Sequence, residues 1–178
     1  MVTAEKTQAK KLIAGGNPDA PFNPPTEETF VNEDGEKVEF MEADSLTRIA
    51  SLLVERRPSL GVVRNFDVMY AWRRKGGSLH GLPRFGSTVR LGALDKWLGE
   101  HDFVVWLAAD HLNGATAWKV EAELFTAMCA IGATPKGLPT LNYPDFSNYH
   151  AVIQEYGSKV REEIRVLAEQ LRFEDATE

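Results

Sequence analysis

The chain has 178 residues, with 43% hydrophobic and 26% charged side chains, which suits a single globular domain and excludes a disordered one. Twenty basic and 26 acidic residues leave a net charge of -6, so no overall electrostatic footprint for nucleic acid or anionic lipid is expected, although a local basic patch stays open. One cysteine, Cys129, and four histidines, His80, His101, His111 and His150, exclude an intrachain disulfide and the zinc-finger and iron–sulfur frameworks. Any metal would have to rely on those histidines and on carboxylates. No run reaches the roughly 18 apolar residues of a membrane span. The interleaved Lys and Glu of MVTAEKTQAKKLIAGG do not make a secretory signal. With the single cysteine, this sets a reducing cytoplasm as the expected location.

In chain order, residues 1–40 read as a loosely ordered arm. Gly15-Gly16-Asn17-Pro18 and Pro21-Phe22-Asn23-Pro24-Pro25 break regular structure. The turn at Glu33-Asp34-Gly35-Glu36 joins two short edge strands, Thr29–Asn32 and Lys37–Phe40. A helix is expected from Ala43, with Leu46, Ile49, Ala50 and Leu53 inward and Pro58 limiting its end. Phe66, Val68, Tyr70 and Trp72 alternate as on a half-buried strand. A basic turn, Arg73-Arg74-Lys75-Gly76-Gly77, follows. Gly86–Leu91 reads as a second strand and Ala93–Leu98 as a short helix. The continuous apolar run Phe103–Ala109 suits a strand covered on both faces. Ala117–Ile131 is the most apolar helix, striped by Val120, Leu124, Ala127 and Ile131. Residues 133–144 form a connection. A last helix or helix pair covers about 146–173, with Val160, Ile164, Leu167 and Leu171 at helical spacing.

Arg64–Ile131 carries a family resemblance. An alternating strand, a basic turn and the Gly-bearing segment Arg84-Phe85-Gly86-Ser87-Thr88-Val89-Arg90-Leu91 come first. A short helix leads to Asp102 and the strand ending at Asp110-His111, and a further helix follows. Downstream, Asp145-Phe146-Ser147-Asn148-Tyr149-His150 runs towards Tyr156-Gly157. In this order of elements the chain resembles the phage metallopeptidases, small zincin-like proteins of phages and mobile elements, over roughly residues 43–170. The resemblance implies an α+β, zincin-like fold. A small sheet from strands near 66–72, 86–91 and 103–109 packs against helices near 43–56 and 117–131, and a C-terminal helical region closes a single domain over 41–178.

That family's chemistry rests on an H-E-x-x-H motif. Histidines at i and i+4 share one helix face and bind one zinc ion, and the glutamate serves as general base on the zinc-bound water. The corresponding stretch here is Ala122-Glu123-Leu124-Phe125-Thr126. Glu123 is kept, whereas a methyl and a neutral hydroxyl stand where the histidines belong. Pro144 stands where the resemblance places a third histidine, before Asp145. Without ligands no water has its pKa lowered, and Glu123 alone does not hydrolyse a peptide. Ala122, Glu123 and Thr126 are thus degenerate active-site positions. No catalytic residue, metal ligand or cofactor is assigned.

The other candidates read more plainly. Glu123 pairs with Lys119 at i−4 or is solvated. A replacement metal site from His111, His150 and a carboxylate has no support in spacing. His80 and His101 read as polar loop residues, and Cys129 as a small buried hydrophobe rather than a nucleophile. No phosphate-loop pattern surrounds the glycines. Trp72, Arg73, Arg74 and Lys75 are the candidate interaction surface, although Trp72 and Trp106 also read as core. Trp97 and Trp118 are expected to be partly exposed, as interface anchors can be. The sequence therefore predicts a non-catalytic, phage- or prophage-encoded metallopeptidase-like protein that binds and modulates a host protein in the bacterial cytoplasm. The alternatives are an active metal-dependent hydrolase with a divergent site and, behind it, nucleic-acid binding through Arg73–Lys75. Neither nucleic acid nor a membrane is the expected partner.

Overall fold

The computed structural model describes Leu12 and residues 15–143 apart from His80, together with the backbone but not the side chain of Leu79. The helix expected over 146–173 and the residues Pro144, Asp145 and His150 lie outside the described residues. Eight strands are described: β1 Phe40–Glu42, β2 Val68–Arg73, β3 Ser78–Leu79, β4 Leu82–Pro83, β5 Gly86–Arg90, β6 Phe103–Ala108, β7 Ile131–Ala133 and β8 Pro139–Leu141. The α-helices are α1 Asp44–Arg56, α2 Ala93–Gly99 and α3 Ala117–Met128. The molecule is thus α+β.

The main sheet has four strands in the order β1-β2-β6-β5. It is mixed: β2 and β6 run parallel, while β1 and β5 lie antiparallel to their neighbours. β6 is central, which explains its unbroken apolar run, since it is covered on both faces. In register, Thr88 lies opposite Val105, and Val105 beside Tyr70. The Thr88 hydroxyl donates to the Ala127 carbonyl on α3 at 2.5 Å. By strand alternation, the face bearing Thr88, Tyr70, Trp72, Phe103, Val105 and Leu107 is therefore the one that meets the helices. The opposite face holds a second cluster of Ala71, Val104, Trp106 and Ala108.

α1 and α3 form where apolar residues recur at helical spacing, and both bury those stripes. Leu46, Ala50 and Leu53 are buried on α1, and Val120, Leu124, Ala127 and Met128 on α3. α1 gives way to the extended Arg57 just before Pro58, whose ring disfavours a helical residue ahead of it. Pro58–Asn65 then coils as a 3-10 helix that the sequence pattern does not announce. α3 starts at Thr116, whose hydroxyl accepts from the Lys119 N–H at 3.3 Å.

α3 ends at Met128, three residues before the expected Ile131, because Ile131 opens the β7–β8 hairpin. Gly132 faces Asn142, whose side chain occupies the space a Cβ would need. The hairpin β3–β4 is a second element absent from the sequence reading. Within the arm, the edge strands expected at 29–32 and 37–40 meet at one isolated bridge between Val31 and Lys37, and Phe40 opens β1 instead. The arm lies along the domain. Phe22 N–H donates to Ala115 O at 2.8 Å, Ala117 N–H to Ala20 O at 2.8 Å, and the Phe30 side chain is fully buried.

Candidate functional site

α3 carries Ala122, Glu123 and Thr126, the positions at which the resemblance would place a metal-binding motif. Ala122 and Glu123 are half-buried and Thr126 is exposed. The Thr126 hydroxyl donates to the Ala122 carbonyl one turn back, at 2.8 Å. This is the usual local bond of a helical threonine. A metal-ligand pair at i and i+4 needs two lone-pair donors turned outward together. Here one position presents a methyl and the other a neutral hydroxyl whose proton is committed to the backbone. The residues present do not fit a zinc ion. Among the described residues no group of three or more His, Cys, Asp or Glu side chains is placed to hold a metal ion.

The histidines are placed separately. His111 has Nδ1 3.1 Å from the Arg84 carbonyl oxygen and packs edge-on against Phe85 with ring centroids 5.8 Å apart. Asp110 beside it accepts from the Gly76 N–H at 2.9 Å. These contacts lock the loop after β6 to the basic turn, and they require the glycine. A Cβ on Gly76 would fall on the Arg84 carbonyl and within 2.7 Å of His111 Nδ1. His101 is half-buried, and its buried Nδ1 has no hydrogen-bond partner. His80 and His150 lie outside the described residues.

The acid that α3 does bury is Glu121, 1% exposed, although the resemblance points to Glu123. A signal existed. Trp118, Leu124, Phe125 and Met128 flank Glu121 at i−3, i+3, i+4 and i+7, the spacing of one helix face. Burial pushes the Cys129 thiol up to about 11, so little of it is thiolate at neutral pH, as befits a packing residue.

The candidate surface Trp72–Lys75 divides. Trp72 is core, 2% exposed, and contributes nothing to a surface. The Arg73 guanidinium pairs with Glu39 at 2.5 Å and lies 4.9 Å from the Trp106 ring centroid. Arg74 is half-buried. Lys75 is exposed, with Nζ 3.6 Å from Glu27. Two of the three cations therefore face carboxylates of the arm, which weakens the field of the turn. Trp118, expected to be partly exposed, is buried because α3 turns it inward under the arm. Its backbone N–H donates to Pro18 O at 3.1 Å.

Trp97 is the exposed tryptophan of the described part, at 78%. It sits on α2, which has no buried residue. Leu94 and Leu98 on the same face are 67% and 69% exposed. Of the helix's two charged residues, Asp95 caps the helix's own N-terminus and Lys96 reaches the rest of the domain. The Asp95 carboxylate accepts from the Gly92 N–H at 3.3 Å, and Lys96 Nζ donates to Asp102 at 2.5 Å. Asp102 is buried and also accepts from the Asp67 N–H at 3.1 Å. Burial raises the Asp102 pKa, but the Lys96 and Asp67 hydrogen bonds and the neighbouring positive charges outweigh it. They hold the group below the usual carboxylate range.

No family model, curated protein or solved structure matches the chain. No helix among the described residues is long and apolar enough to cross a membrane.

Proposed function

We propose that the chain is a zincin-like, non-catalytic protein that binds and modulates a host protein, with the bacterial cytoplasm as its setting and a phage or prophage as its source. The observation that carries this reading is the bond from the Thr126 hydroxyl to the Ala122 carbonyl on α3. At the two positions where the resembled family needs imidazoles, this chain has a methyl and a hydroxyl turned back on its own helix. A peptidase with those residues has no means of activating water at that place. A scaffold that keeps its sheet and helices without that chemistry is available as a binding surface, since function resides in sites placed on a fold.

Metal analysis of the purified full chain, with a peptidase assay in the presence of added zinc, tests the non-catalytic half. The expected result is no stoichiometric zinc and no hydrolysis above that of the Glu123→Ala variant. Stoichiometric zinc that disappears in Glu123→Ala or His111→Ala, together with hydrolysis, would favour the divergent hydrolase instead. For the binding half, the tagged chain should enrich a discrete protein from bacterial host lysate. Failure to enrich any protein over a tag-only control counts against it.

A further inference from the structure

We infer that α2 is a docking helix whose occupant is an apolar groove with a basic rim on a partner protein. This rests on the reading of the chain as a binding protein and names the chemistry of what it binds. α2 is amphipathic in the inverted sense. Lys96 is tied down to the buried Asp102 and fastens the helix, while the exposed Asp95 carboxylate caps the helix's own N-terminus at the Gly92 N–H. Leu94, Trp97 and Leu98, at i, i+3 and i+4, face outward instead of into the core. A helix left to minimise exposed apolar area would roll the other way. That triad is the anchor spacing of helix-in-groove recognition, and a tryptophan flanked by two leucines suits a desolvated pocket.

Charge selects among the possible occupants. Exposed carboxylates flank the apolar triad along the chain: Asp95 follows Leu94 in the first turn, and Glu100 lies just past the last. Lys96, the basic residue within the helix, is matched by Asp102. The chain as a whole carries -6. A second copy would set the same carboxylates against each other, and an anionic membrane would repel them. Area also disfavours a second copy. One Trp and two Leu supply on the order of 400 Å² per side, about half of what a standard interface takes from each partner. A groove wraps a helix on three sides and can place cations around it.

The test uses the full chain and Trp97 fluorescence, read as the difference from a Trp97→Phe variant. The probes are an amphipathic peptide built from Lys and Leu, its Glu and Leu counterpart, and vesicles rich in anionic phosphatidylglycerol. The self-association state is followed by sedimentation. The expected result is a blue shift with the Lys/Leu peptide at least about tenfold tighter than with the Glu/Leu peptide. The shift should be lost in Leu94→Ser/Leu98→Ser while the far-ultraviolet spectrum is unchanged. Equal binding of both peptides, binding of neither, or binding that survives Leu94→Ser/Leu98→Ser overturns the inference. So does self-association abolished by that double variant, or a response to the vesicles. Zinc-dependent hydrolysis would refute the non-catalytic reading without altering these outcomes. An inert, zinc-free chain whose α2 takes up no peptide would refute this inference alone.

Discussion

The fastening of α2 by Lys96 and Asp102 is the most exacting point of the structure to test, because it decides which way the helix faces. Lys96→Met keeps the aliphatic stem and removes the ammonium. Asp102 is buried, while the Lys96 side chain is 53% exposed. A hydrogen bond to a charged group is worth about 1.5–3 kcal/mol when enclosed. Exposure of the ammonium brings the expected loss to about 1–2 kcal/mol at pH 7. For a chain of this size that lowers the melting temperature by roughly 3–6 °C.

The pH dependence gives the stricter check. Folded Asp102 holds its carboxyl below the usual range. The unfolded chain therefore binds more protons in that window, and stability rises with pH through it. The contribution is whole above the unfolded value of about 3.9 and is lost as pH falls through the folded value. In Lys96→Met, burial persists without its compensating cation, so the advantage of the parent protein should close towards zero as pH falls below that range. Urea denaturation of both proteins from pH 7 to pH 3 reads this directly as the difference in midpoint. A difference that stays constant across the range, or no difference at pH 7, would refute the ion-paired anchor.

Three further substitutions probe the frame. Gly76→Ala must displace the Arg84 carbonyl or the His111 ring, so a loss of about 1–3 kcal/mol is expected in denaturant titrations. Leu124→Ala on α3 opens a cavity at a fully buried position and should cost about 2–5 kcal/mol, read as a lower melting temperature. Glu100 sits beyond α2 with φ of 61° in the left-handed region. Glu100→Gly should therefore stabilise the protein by about 1 kcal/mol, and calorimetry showing a loss would contradict a strained cap.

Much of this frame is legible in the residues. Alternation at Phe66–Trp72 and the apolar run at Phe103–Ala109 give two strands, and the stripes at Leu46–Leu53 and Val120–Ala127 give two helices. Each rests on a period that burial enforces. Short elements escape that logic. β3–β4 and β7–β8 span two or three residues per strand, too few for a period to register. The misplaced end of α3 has the same origin. Ile131 continues the helical spacing, yet its backbone pairs with Leu141, a partner ten residues ahead that no local pattern reveals.

The site shows a different limit. That Ala122 and Thr126 offer a methyl and a hydroxyl rather than imidazoles is read from the sequence alone. Their chemistry travels with the sequence. Direction does not. The spacing of Leu94, Trp97 and Leu98 identifies a face, and the same pattern would serve a helix packed inward. What turns the face outward is Asp102, six residues beyond Lys96, buried at the head of β6 and satisfied by Lys96 and the Asp67 N–H. A buried carboxylate needs its cation nearby. With Lys96 brought to Asp102, Leu94, Trp97 and Leu98 stay exposed among the described residues. The surface on which the binding proposal rests thus accompanies one buried charge.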